Sequence, residues 1–224
     1  MPRVTDAHRQ RQRERILRAA ARCFARKGFH ATSMDELITE AGMSSSTVYR
    51  YFPDGKQSII EAVSDRRMEP VIARIKALAE MDEPPGLQEA FIDALESLLA
   101  PERPASGQQG REEDDDVAWP FIVVAIWGDL ARSPELRRQS NQRYHNMREM
   151  LTRLSRRWQE LGTLTEEITA EQIAALIQST SFGLMIEFIS TGSSDVSSAA
   201  TALARLLSPT DAERASRIGR EAAV

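Results

Sequence analysis

The sequence predicts an all-α protein built in two parts. Ala, Leu, Arg and Glu are abundant and β-branched runs are few, which favours helix over strand. Apolar residues recur at helical spacing in segment after segment. Capping boxes, glycines and prolines fall where such segments should begin and stop. At 224 residues, 42% hydrophobic and 28% charged, the chain has the balance of a globular protein with one large or two modest cores.

Residues 1–7 read as a frayed arm. Arg3, with Arg9, Arg11 and Arg13 beyond it, can reach phosphates or a minor groove, or remain solvated. A first helix is expected over about 6–27, with Ile16, Leu17, Ala20 and Phe24 on its core face and Gly28 at its end. The single cysteine, Cys23, lies on that face, so no disulfide forms within the chain. It is either a buried structural thiol or a redox sensor activated by Arg22 and Arg26.

Ser33 and Glu36 make a capping box that starts a second helix at Met34. Met34, Leu37, Ile38 and Ala41 share one face, and Gly42 stops the helix. Ser44 caps a third helix over 45–52, which Pro53 ends. Two helices of about two turns each, joined by a glycine-containing turn, fit a helix-turn-helix. The third helix offers Ser45, Ser46, Thr47, Tyr49, Arg50 and Tyr51, with no acid among them. Small side chains and one guanidinium suit a helix that enters a major groove. Phe52 reads as core.

A fourth helix follows from Gly55 or Lys56 to about 81, with Pro70 inside it. An interior proline removes a hydrogen bond and kinks a helix, so Pro70 is expected to mark a bend. The DEPPG run at 82–86 is a break, and 87–99 a helix. Residues 101–116 are polar, with five consecutive acids at 112–116, and read as a loop. Consecutive acids share no face and lack calcium-loop spacing, which argues against a metal site. The nearly all-apolar 117–131 is expected as a central helix of the second part. Longer helices follow over 134–161, 170–190 and 195–207, and the polar residues after Pro209 are expected to be frayed or weakly helical.

Charge divides the chain. Residues 1–60 hold 11 Lys+Arg against 6 Asp+Glu, and the remainder hold 18 against 27. A basic head on an acidic body fits nucleic-acid binding by the head alone, although a solvated charged helix would look the same. The first 20 residues lack the apolar stretch of a secretory signal, and the longest apolar run, 121–127, is too short to span a bilayer. The expectation is a cytoplasmic protein with no membrane partner. No metal, cofactor or enzyme pattern is present: the three histidines are dispersed, and GQQG at 107–110 has no GK[ST] after it.

Several spaced motifs resemble the DNA-binding domain of the TetR/AcrR family of bacterial regulators. They are ILxAAxxxFAxxGF at 16–29, ATSM at 31–34, EAGMS at 40–44, TVYxYFP at 47–53 and GKxxII at 55–60. IWxDLxRSPELR at 126–137 resembles the C-terminal domain of BetI-like members. Two departures matter. Ser45-Ser46 stands where the family often has Lys-Gly, and Asp54-Gly55 lengthens the usual Phe-Pro-x-Lys spacing by one residue.

The resemblance implies a DNA-binding domain over 1–60 and a ligand-binding and dimerisation domain over 61–224, joined by a connecting helix at about 56–81. It implies a homodimer on a palindromic double-stranded operator, released by a small-molecule effector, with repression the usual outcome. Base contacts are expected from Ser45, Ser46, Thr47 and Arg50, and phosphate contacts from Thr32, Ser33, Tyr49 and Lys56. An apolar effector pocket is expected among Trp119, Phe121, Trp127, Met147, Met150, Phe182 and Met185. A four-helix dimer interface is expected from Ile177, Thr180, Leu184, Phe188, Ala200, Leu203 and Leu207. The alternative is a ligand-binding or scaffold protein whose helix-turn-helix no longer reads DNA.

Overall fold

The computed structural model describes residues 6–100, 119–130 and 133–221. The described residues form ten helices. They are α1 (Asp6–Ala31), α2 (Met34–Ala41), α3 (Ser45–Tyr51), α4 (Lys56–Glu80), α5 (Leu87–Leu99), α6 (Trp119–Leu130), α7 (Pro134–Glu160), α8 (Ala170–Thr191), α9 (Val196–Leu206) and α10 (Asp211–Glu221). The expectations for Arg3 and for the 101–116 loop lie outside the described residues. The chain divides into two compact units, 1–69 with 100–137 and 70–99 with 138–224. One dividing point thus falls directly before Pro70, which lies inside α4.

The first unit is organised on α1. Ile16, Leu17, Ala19, Ala20, Ala21, Cys23 and Phe24 are all buried. At 100° per residue they cover roughly 200° of its circumference, so α1 is a central helix packed on more than one side. α2 takes one side and α6 another, with Ile122 and Val123 of α6 buried. α6 therefore belongs to this unit, not to the centre of the second. Its near-continuous apolarity reports burial but cannot say against what. Gly28, at φ 77°, kinks α1, and the helical run resumes as far as Ala31. Val48, Phe52, Ile59 and Ile60 complete this core, with Leu37 from α2. Burying each such side chain contributes about 1.5–3 kcal/mol. Glu14 pairs with both Arg18 and Arg66, tying α4 to α1.

In the second unit α5 packs on α8 and α9. Leu95, Leu154, Ile173, Ala174 and Ala200 are at most 2% exposed. The indole of Trp158 donates to the Pro85 carbonyl at 3.0 Å, and Arg157 donates to the carbonyls of Met81 and Asp82, so α7 fastens the 81–86 break. A Thr169/Gln172 capping box opens α8, and Gly192 at φ 82° closes it. By length and composition alone α8 is apolar enough to cross a bilayer. Its Ile173, Ala174, Ile177, Leu184 and Met185 are instead buried in this unit, as in a core helix. α10 is firmer than expected. The Glu213 carboxylate accepts from the Thr210 N–H and hydroxyl, the Thr165 hydroxyl and the Glu166 N–H. With Glu213 N–H donating back to the Thr210 hydroxyl, this is a capping box legible as Thr-x-x-Glu.

Candidate nucleic-acid interface

The turn between α2 and α3 positions the recognition surface. Gly42 adopts φ 59°, and its N–H donates to Thr39 while that of Met43 donates to Ile38, a Schellman stop. A Cβ at Gly42 would sit 2.7 Å from Arg15 Nη2, which itself donates to the Gly42 carbonyl. The left-handed backbone angle is what favours glycine here, while the Arg15 side chain could swing away from a Cβ. Two residues later the Ser44 hydroxyl accepts from the Thr47 N–H at 3.3 Å and starts α3.

The inner side of α3 is set by Val48, 0% exposed, and the capping Phe52, 3% exposed. That fixes the outer side. Ser45, Ser46, Tyr49 and Arg50 are exposed, and Thr47 and Tyr51 are half-buried. The Ser44 hydroxyl lies 3.1 Å from that of Ser46 and 2.9 Å from that of Thr47, so these two groups are oriented before any contact. Arg50 lies 5.5 Å from the Tyr51 ring centroid and makes no ion pair among the described residues. A stacked, unneutralised guanidinium of this kind suits bidentate reading of guanine. The Tyr49 ring is 43% exposed, so its hydroxyl is accessible.

Two expected phosphate contacts have hydrogen-bond partners inside the head. The Thr32 side chain is 1% exposed, and its hydroxyl donates to the carbonyls of Gly28 at 2.7 Å and Cys23 at 3.3 Å. It closes the kink in α1 and does not face solvent. Lys56 Nζ donates to the carbonyls of Phe29, Thr32 and His30 at 2.7, 2.8 and 3.3 Å and lies over the Phe29 ring. The end of α1 leaves carbonyls without helical donors and carries the negative end of the helix dipole, so an ammonium is drawn there. The extra residue before Lys56, Gly55 at φ 66°, belongs to this local geometry. Ser33 is exposed, but its hydroxyl and N–H are both engaged with Glu36 in the capping box.

Three cations near the C-terminal end of α1 pair with acids of α2. Arg22 and Arg26 each hold Glu40 at 2.9 Å, and Lys27 holds Glu36. The Lys27 ammonium, helped by the Ser33 N–H, holds the Glu36 carboxyl down to about 2. Hydrogen bonds from Arg22 and Arg26 likewise lower Glu40. Cys23 moves the opposite way: burial first, then Glu40, raises its thiol. Arg26 reaches the Cys23 sulfur at 3.6 Å, but burial and the carboxylates outweigh the two arginines, as expected for a buried structural thiol.

The remaining expected residues separate. Trp127 is half-buried in the first unit, and the side chains of Trp119 and Phe121 lie outside the described residues. Met147, Met150 and Phe182 are half-buried in the second unit, where Met185 is buried core. Of the expected dimer residues, Ile177, Leu184, Ala200, Leu203 and Leu207 are at most 7% exposed within their own chain and pack mainly into its core. Thr180 and Phe188 are half-buried. The most apolar stripe of a helix turns to its own core. Leu176 and Ile186 on α8 are instead 46% and 41% exposed beside exposed Ser179 and Gly183, and Leu206 on α9 is 79% exposed. This second stripe mixes small and apolar residues.

The fold and the recognition helix define a helix-turn-helix transcription regulator. Residues 16–63 match the model of the tetR family of bacterial regulatory proteins, and 111–211 that of the BetI-type transcriptional repressor C-terminal domain. The chain belongs to the TetR family. It is 25% identical over 179 residues to the HTH-type transcriptional regulator UidR of Escherichia coli, covering 80% of this chain and 82% of that one. The structure of Salmonella enterica GusR is 27% identical with a TM-score of 0.65, covering 92% and 96% of the two chains. The SmeT–triclosan complex superimposes with a TM-score of 0.67 over 88% of this chain and 90% of that one; at 19% identity it shows the shared fold.

Proposed function

We propose that the protein is a homodimeric, effector-released repressor that reads a roughly palindromic operator with α3. The observation that carries this reading is the outward face of α3. Ser45, Ser46, Tyr49 and Arg50 are exposed on a helix whose start, stop and inner face are all fixed, and no acid lies among them. Ser45, Ser46, Thr47 and Arg50 read bases, while Tyr49 and the start of α2 at Ser33 hold the backbone. The exposed stripe of Leu176, Ile186 and Leu206 supports pairing with a second copy. A twofold dimer would set half-sites about 34–36 Å apart or at a related spacing. The effector binds in the second unit, near Met147, Met150 and Phe182, and favours a form with low operator affinity. The SmeT–triclosan complex supports a small, largely apolar effector for this fold.

A second reading has one observation in its favour. Lys56 and Thr32 are engaged inside the chain, which reduces the grip on phosphate and suits a ligand-binding protein that no longer reads DNA. Pull-down of genomic fragments by the purified protein at near-physiological salt separates the two. A few enriched fragments sharing a palindrome support the regulator. Uniform, salt-sensitive recovery shows phosphate binding without base reading, and no recovery in the presence or absence of effectors supports the second reading.

A further inference from the structure

The second unit holds a half-buried cation with no acid beside it. Arg148 of α7 donates from Nε to Gln178 Oε1 at 2.6 Å and from Nη2 to the Tyr144 hydroxyl at 2.7 Å. No carboxylate pairs with it among the described residues. Other arginines of the unit do have acids: Arg74 has Asp93, Arg156 has Glu171, and Arg157 has Glu160. Arg74 and Arg156 are exposed, and Arg157, half-buried like Arg148, has its acid. A guanidinium partly stripped of water is the group that most favours an anion.

The cluster is built rather than incidental. Gln178 of α8 is 4% exposed, and its Nε2 donates to the Tyr144 carbonyl at 3.2 Å, so its amide is fixed at both ends and its oxygen must face Arg148. The guanidinium carbon sits 5.3 Å from the Tyr144 ring centroid. The Tyr144 ring stacks on Phe182, with centroids 6.0 Å apart and planes 14° from parallel. Arginine has five N–H donors, and the described partners take two. The Tyr144 hydroxyl accepts from Arg148 and has its own proton to donate. Tyr144 is 37% exposed, so the cluster is open to a small molecule. Its unmet groups are donors, set at the edge of an aromatic pair.

We propose that Arg148 and Tyr144 bind the carboxylate of a small ring-bearing organic acid, and that this acid is the effector. The proposal rests on the effector-responsive reading above and specifies the small, largely apolar effector as one that carries a carboxylate beside its ring. The planar guanidinium takes the carboxylate through its remaining N–H groups, the Tyr144 O–H donates to it, and the ring lies along Tyr144 and Phe182. Gln178 positions Arg148 and does not touch the ligand.

Calorimetry on the full chain tests this with three acids, benzoate, 1-naphthoate and indole-3-acetate, each beside its neutral amide. At least one acid should bind about 10-fold or more tightly than its amide. Arg148→Gln should erase that preference, and Tyr144→Phe, which keeps the ring, should reduce it several-fold. If no acid outperforms its amide, or if the preference survives in Arg148→Gln, the cluster is only a brace between α7 and α8 and the proposal is overturned. Tyr144→Phe decides the matter if Arg148→Gln does not fold. Operator affinity with and without each molecule scores the underlying reading separately. An acid that binds through Arg148 but leaves operator affinity unchanged overturns the effector assignment. A neutral aromatic that releases DNA, with no acid preferred, keeps the effector reading and overturns the carboxylate site.

Discussion

Arg50 and Lys56 show how little residue type says about role. Both are cations of the head, six positions apart. Arg50 stacks on Tyr51 and points outward, whereas Lys56 is held by three carbonyls at the end of α1. Arg50→Ala is expected to weaken operator binding by about 1–3 kcal/mol and relax specificity at one base position. A quantitative binding assay over single-base operator variants checks this; an equal loss on every sequence would make Arg50 a phosphate contact. Lys56→Ala should act on folding instead. Losing a charged donor to buried carbonyls should lower stability by about 1–3 kcal/mol while leaving the salt dependence of DNA binding unchanged. Urea denaturation with a salt titration of binding separates the two effects. The outward side of α3 was legible in the sequence, because Val48 and Phe52 fix which way the helix faces. The roles of Thr32 and Lys56 were not, because they depend on where the kink at Gly28 brings the carbonyls of α1.

At the scale of elements, α2 is held to α1 by charge as much as by packing. The Glu36 carboxyl is depressed from 4.5 to about 2 by Lys27 and Ser33, and Glu40 is lowered by Arg22 and Arg26. A depressed carboxyl stabilises the fold above its unfolded value and loses that contribution as pH falls through its folded one. The thermal midpoint of the head should therefore fall as pH drops from about 4.5 toward 2, and Glu36→Gln should flatten part of that slope. Differential scanning calorimetry across that range is the check; parallel slopes for both proteins would remove Glu36 from the account. In α4, Pro70 removes one helical hydrogen bond at the point where the two units divide. Pro70→Ala is expected to alter the effector response more than effector-free operator affinity. Equal loss of both would show that Pro70 serves only the stability of the helix.

For the whole molecule, the proposed dimer would use the apolar surface that folding leaves outside, Leu176 and Ile186 of α8 and Leu206 of α9. Leu176→Glu combined with Ile186→Glu is expected to give a folded monomer with much weaker operator binding, as read by sedimentation velocity and helical circular dichroism. A double variant that stays dimeric would place the interface elsewhere. These residues were overlooked in the sequence because hydrophobic periodicity ranks a helix by its most apolar stripe. In α8 that stripe, Ile173, Ile177 and Leu184, is the subunit's own core.

The sequence by itself determined the all-helical class, the start and stop of α2, α3 and α8, the helix-turn-helix and the outward face of α3. Each of these follows from interactions within about four residues: a capping box, a left-handed glycine, a proline, an apolar repeat. Tertiary structure alone decided that α6 joins α1, that Lys56 and Thr32 have hydrogen-bond partners inside the head, that Cys23 is buried, and that Arg148 meets Gln178 and Tyr144 and no acid among the described residues. Those outcomes pair groups from different elements, such as Lys56 with Phe29 and Arg148 with Gln178. Local spacing carries no record of such pairs, because packing of the whole unit sets which distant groups meet.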